Sequence, residues 1–140
     1  MAAEGGLDYV NNNIRTIRIA SNNQKEREFY CTLFGILGIR SKLYRGRHNV
    51  VINGIPNFIR CKELDLFKLH ERKNKKFLEA FNDSLSIRLF LLLKKMPLSK
   101  KDIIRKLIIE NKSQLDAHLR SLMQLGYLKK AKDKYNLCLQ

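Results

Sequence analysis

Two sets of side chains in this sequence have the types and spacing to bind a polyanion and to read it. The first is Ser113, Gln114, Ala117, His118 and Ser121, small or hydrogen-bonding residues that fall on one side of a predicted helix. A glutamine there can pair with N6 and N7 of adenine, and a histidine can donate to a guanine acceptor. Lys129, Lys130, Lys132 and Lys134 follow, point charges that attract phosphate and carry no sequence information. The second set is Thr16, Arg18, Arg40, Lys42 and Tyr44, at alternating positions of two predicted strands. Cations with an aromatic among them suit a surface that tracks phosphates and reaches base edges. Each set also has a bland reading. The first is then a helical hairpin with a ribbon that binds nothing, and the second a solvated face whose Lys and Arg give solubility and edge protection.

The elements that would position the first set lie between Asn111 and Leu139. Leu115, Leu119, Leu122 and Leu125 recur at helical spacing and make one apolar stripe. Asn111 can cap this helix, Gln114 three residues on completes a capping box, and Gly126 stands where a left-handed residue ends it. Tyr127-Leu128 and Tyr135 to Leu139 read as strands around the turn Lys129 to Lys134. Upstream, Ser84 to Lys95 carries Leu85, Leu89, Leu92 and Leu93 at helical spacing. After Met96-Pro97, Ser99 caps a helix to Leu107 with Asp102 at its third position and Ile103, Ile104, Leu107 and Ile108 as its apolar side. The order is helix, turn, helix, basic ribbon, a helix-turn-helix with a wing.

The second set needs a sheet. Leu7 to Val10 and Ile14 to Ala20 flank the turn Asn11-Asn12-Asn13, with Ile17 and Ile19 on one face, Thr16 and Arg18 on the other, and Arg15 breaking the pattern. Ser21 or Asn22 can cap a helix to about Leu37, its stripe being Phe29, Leu33, Ile36 and Leu37 and its stop Gly38. Ile39 to Arg45 reads as a strand with Ile39 and Leu43 inward; Gly46-Arg47 turns the chain into His48 to Ile52. Pro56 suits the first turn of a helix through Phe58, Ile59 and Leu64, and a basic helix covers Glu71 to Phe81. The order is ββαββα.

Composition narrows the partner. The 140 residues carry 28 Lys/Arg against 13 Asp/Glu, a net charge of +15, beyond what solubility requires. Residues 1–83 and 84–140 are both basic, and no linker or repeat separates them. Nucleic acid fits better than membrane: the longest apolar run, Leu89 to Leu93, is far short of the ~20 residues of a spanning helix. The N-terminus MAAEGGLDYV has no basic region and apolar core of a secretory signal. Cys31, Cys61 and Cys138 form neither a disulfide framework nor a zinc knuckle, which fits a reducing cytoplasm and small core residues. His48, His70 and His118 are too scattered for a metal site.

Residues 4–78 resemble one half of a LAGLIDADG homing endonuclease. The likeness is carried by EGGLDY at Glu4–Tyr9, IRTIRIASNNQKEREFYCTLFGILGIRSKLYR at Ile14–Arg45, VVINGIPNFIRCKEL at Val50–Leu64 and HERKNKKF at His70–Phe77. It implies a ββαββα saddle laid in the major groove of a long DNA site. It also implies an acid at the end of the signature helix, here Glu4 in Ala3-Glu4-Gly5, holding a divalent metal such as Mg²⁺ at the scissile phosphate. Met1-Ala2-Ala3 does not supply the small-residue half of that helix, and one unit stands where cleavage needs two. The resemblance therefore implies either a start downstream of the real one or a remnant that has lost its dimer helix. Residues 84–140 look like the winged helix-turn-helix of many microbial DNA-binding proteins.

The expectation is therefore α+β, a LAGLIDADG-like saddle over 1–83 and a winged helix-turn-helix over 84–140. Its expected function is duplex DNA binding, as a remnant of a homing endonuclease or a regulator derived from one. The alternative is a Mg²⁺-dependent endonuclease that acts with a second unit, a homodimer partner or a missing N-terminal half. RNA remains open, because charge does not distinguish nucleic acids.

Overall fold

The computed structural model describes residues 5–10 and 13–138, with side chains from Ile14 onward. The chain is mixed α+β and divides into two compact units, Met1–Asp83 and Ser84–Gln140.

In the first unit, β1 (Gly5–Val10), β2 (Asn13–Ala20), β3 (Ser41–Leu43) and β4 (Asn49–Ile52) form an antiparallel sheet in the order β1-β2-β4-β3. Helices α1 (Gln24–Ile36), α2 (Ile55–Glu63) and α3 (Glu71–Asp83) complete it. Arg15 owes its place in the sequence pattern to a β-bulge. Asp8 pairs with Thr16 and Tyr9 with Ile14, so Arg15 is the extra residue of β2. An extra residue resets the alternation, which lets Ile14 and Ile17, three apart, both be buried while Arg15 is exposed.

Register then sorts the faces. Ile17 pairs with Ile52 and Ile19 with Val50, and all four are fully or almost fully buried. Arg18 pairs with Val51 and Val51 with Lys42, so these three share the other face. Phe77, Ala80 and Phe81 of α3 are buried, and the Phe67 ring lies 5.1 Å from that of Phe77.

Helix α1 differs from its expected orientation. Its cap is Asn23, whose Oδ1 accepts from the amides of Lys25 and Glu26, rather than Ser21 or Asn22. Its buried residues are Arg27 and Phe34, whereas Phe29 is 61% and Ile36 77% exposed, and Leu33 and Leu37 are half-buried. Apolar residues wrap more than half of this helix, so periodicity allows two core faces. The choice follows Arg27, whose guanidinium donates to the Ser21 carbonyl and to Gln24 Oε1, each at 2.6 Å. That ties the first turn to the strand end. Strand β3 is also shorter than expected. The Arg40 amide donates to Asn57 Oδ1 of α2 at 2.9 Å, which removes it from the ladder, and Leu43 is partly exposed rather than inward.

The second unit runs α4 (Leu85–Lys95), β5 (Leu98–Ser99), α5 (Lys100–Leu107), α6 (Lys112–Gln124), β6 (Leu128–Ala131) and β7 (Lys134–Leu137). Strands β5, β7 and β6 form a small antiparallel sheet in that order. The local signals are realised in side-chain bonds. Ser84 Oγ accepts from the Ile87 amide, and Ser99 Oγ accepts from the Asp102 amide while bonding its carboxylate. Asn111 Oδ1 accepts from the Gln114 amide. Gly126, at φ 82°, takes the left-handed position after α6. Ile87, Leu89, Leu93, Leu98, Ile103, Leu115, Leu119, Leu122, Leu128 and Tyr135 make the core. Full burial of a leucine is worth about 1.5–3 kcal/mol, so the α6 triad alone anchors this helix firmly. Six residues assigned to apolar stripes lie outside that core: Leu85, Leu92, Ile104 and Leu107 are half-buried, Leu125 is the exposed C-cap of α6, and Ile108 the exposed C-cap of α5.

Candidate nucleic-acid interface

Two cationic surfaces are present, one in each unit. In the first unit the helices mix both signs, whereas the four strands carry a single acid, Asp8 of β1. Between Ile14 and Asn53 the acids are Glu26 and Glu28, both on α1. The strands and their loops over the same span hold Arg15, Arg18, Arg40, Lys42, Arg45 and Arg47. Among the described residues, the side chains of Arg40, Lys42, Arg45 and Arg47 have no ion-pair partner. Asp8, in register with Thr16, is the one acid of the four strands, and the excess of unpaired cations leaves this side of the sheet net positive.

The loop between β3 and β4 shapes this surface. The Arg47 amide donates to the Tyr44 carbonyl at 3.1 Å, closing a tight turn in which Gly46 adopts φ 76°, a conformation a side chain would strain. The turn contributes Tyr44, Arg45 and Arg47 to the lining of an open concavity of about 460 Å³. Thr16 and Arg18 of β2, Asn49 and Val51 of β4 and the following Asn53 line the rest. Of the five expected residues, Thr16, Arg18 and Tyr44 line this concavity. Lys42 shares the face by register, and Arg40 is exposed just before β3. Arg45, Arg47, Asn49 and Asn53 are additional to the expected set. A signal for the two arginines is visible in the sequence: they flank a turn glycine in a stretch without any acid from Phe29 to Lys62.

In the second unit, Ser113, Gln114, Ala117 and Ser121 are exposed on α6. His118 is set apart from them. It is half-buried, and its Nδ1 lies 2.8 Å from Ser86 Oγ of α4, so its ring is turned toward the helix core. Burial lowers its pKa below the ordinary histidine value. Of the unit's four acids, Asp102 is engaged with its capping serine and Asp116 with Lys100, which ties α5 to α6. The hairpin is tighter than expected. Lys129 and Lys130 belong to β6, and the turn is only Lys132-Asp133, with Lys132 at φ 56°. Lys130 lies over the Tyr135 ring, its Nζ 5.6 Å from the centroid. Lys129, Lys132 and Lys134 are exposed.

Glu4, the acid implied to hold a metal, lies outside the described residues. Among the described residues no three His, Cys, Asp or Glu come together to hold a metal ion. The three cysteines are free: Cys61 is buried, its thiol pKa pushed up to about 12 by that burial, and Cys31 and Cys138 are half-buried. No helix among the described residues is long and apolar enough to cross a membrane. No family model, curated protein or solved structure matches this chain.

Proposed function

We propose that this chain is a duplex DNA-binding protein, a remnant or regulator derived from a homing endonuclease. Residues 1–83 are its LAGLIDADG-like saddle and residues 84–140 its winged helix-turn-helix. The observation that carries the reading is the segregation of charge. Between Ile14 and Asn53 the strands and the β3–β4 turn hold only cations, and the acids sit on α1. Solubility alone would be served by mixing the two signs; a face with a large excess of cations, here opposed in the strands by Asp8 alone, is what attracts a phosphate backbone.

Topology supports the two-part reading. The element order ββαββα, with all four strands in one antiparallel sheet, is that expected of the saddle. In the second unit, a short strand between the first two helices pairs with the last strand, closing the ribbon onto the helices as a winged helix requires. Exposed Gln114 and Ser113 at the start of α6 occupy the part of a recognition helix that meets base edges.

The test is a titration of the purified chain against a fluorescent duplex over a range of salt, with an RNA hairpin and single-stranded DNA as competitors. Log K should fall linearly with log salt with a slope of about −3.6 or steeper, from four or more neutralised phosphates at about 0.9 each. Absence of duplex binding at low salt would sink the proposal. An RNA hairpin that outcompetes the duplex would move the partner to RNA.

A further inference from the structure

The concavity on the sheet face has a feature that tracking a smooth backbone does not require. Cations on a flat sheet suffice for phosphates. Here the turn Tyr44 to Arg47 and the outer face of β2 and β4 border an open concavity of about 460 Å³. Its lining brings together Tyr44, a residue 46% exposed, Arg45 and Arg47 with the hydrogen-bonding residues Thr16, Asn49 and Asn53. Ring, cations and neutral hydrogen-bonding groups in one recess are the three parts that hold an unstacked nucleotide. The base stacks on the aromatic, its phosphate meets the cations, and its edge meets the polar groups. Among the described residues, Tyr44 is the only aromatic lining the recess.

Resting on the duplex-binding reading above, we infer that this recess takes one unpaired nucleotide, its base against Tyr44 and its phosphate between Arg45 and Arg47. Stacking one base on one side chain gains about as much as extruding a paired base loses, so the recess does not open an intact helix by itself. It favours DNA in which a nucleotide is already unpaired. The ligand class is thus a duplex carrying a bulged or mismatched nucleotide, recognised at the bulge.

The experiment compares three probes of otherwise identical sequence: an intact duplex, the duplex with one bulged nucleotide, and the duplex with one bulged abasic nucleotide. The bulged probe should bind about tenfold more tightly than the intact one, the order that one stacked base is worth. The abasic bulge keeps the backbone and the bend but lacks the base, and should lose most of the gain. Tyr44→Ala should bring the bulged-to-intact ratio near one, and Tyr44→Phe, which keeps the ring, should restore it. Equal affinity for bulged and intact duplexes would overturn the inference while leaving duplex binding in place. A gain that survives the abasic probe or Tyr44→Ala would also overturn it, because the protein would then be sensing flexibility. Failure to bind any of the probes would overturn the duplex reading and this site with it.

Discussion

The Ser86 hydroxyl and His118 Nδ1, 2.8 Å apart, join α4 to α6 in the second unit. The pair makes His118 part of the scaffold that holds α6. Burial lowers its pKa, so the unfolded chain binds a proton at this site more readily than the folded chain does. Its effect on stability is constant above the ordinary value of about 6.5. Stability should then be lost as pH falls from there through the lowered folded value. Thermal melts between pH 7.5 and 5 should show a decline that is smaller in His118→Gln. Identical pH profiles for the two proteins would remove His118 as the source.

Ile108 ends α5 at φ 53°, a left-handed conformation that a β-branched residue adopts only under strain, and its side chain is 83% exposed. Replacing it with glycine removes the steric cost and gives up little burial. Ile108→Gly should raise stability by about 1 kcal/mol, the scale of the left-handed penalty less the added chain entropy. Urea unfolding at fixed m-value measures this. A lower midpoint would mean that Ile108 contributes packing its exposure does not reveal.

Arg18, Arg40 and Lys42 supply charge to the sheet face. Replacing all three by alanine should flatten the salt dependence of duplex binding, by about 0.9 in slope for each phosphate no longer neutralised. With the circular dichroism spectrum unchanged, an unaltered slope would remove the sheet from the interface and leave the second unit alone in it.

Gln114 and the ribbon lysines should separate reading from positioning. Alanine at Lys129, Lys132 and Lys134 should weaken a selected and a scrambled duplex about equally, because bonds to phosphate carry no sequence information. Gln114→Ala should cost about 1–3 kcal/mol on the selected site and little on the scrambled one. His118→Ala should instead lower the melting temperature, through loss of the hydrogen bond to Ser86. If Gln114→Ala leaves the ratio of the two affinities unchanged, α6 is not the reader, and the second unit is better sought as a protein-interaction module.

Much of this fold is written locally. Ser84, Ser99 and Asn111 cap helices with their own side chains, Pro56 sits in the first turn of α2, and Gly126 closes α6. Each depends on neighbours within about four residues, so sequence alone decides them. The mixed α+β class and the alternation of Ile17, Arg18 and Ile19 were legible for the same reason. Tertiary structure decided the rest. Helix α1 could bury either of two apolar faces until the bonds of Arg27 to Ser21 and Gln24 set its rotation. Leu98-Ser99 is too short to show a period and becomes β5 only because Tyr135 and Lys134 pair with it. The bulge at Arg15 exists only in register with Asp8 and Tyr9 of β1. His118 shared a helix face with Gln114 by spacing, yet a hydroxyl 32 residues earlier in the chain turned it inward. Arg45 and Arg47 joined Arg18 around one recess only when the β3–β4 turn closed against the sheet. Short-range geometry is encoded in the order of residues; which surfaces meet depends on partners far along the chain, and only their packing chooses among the patterns that the order allows.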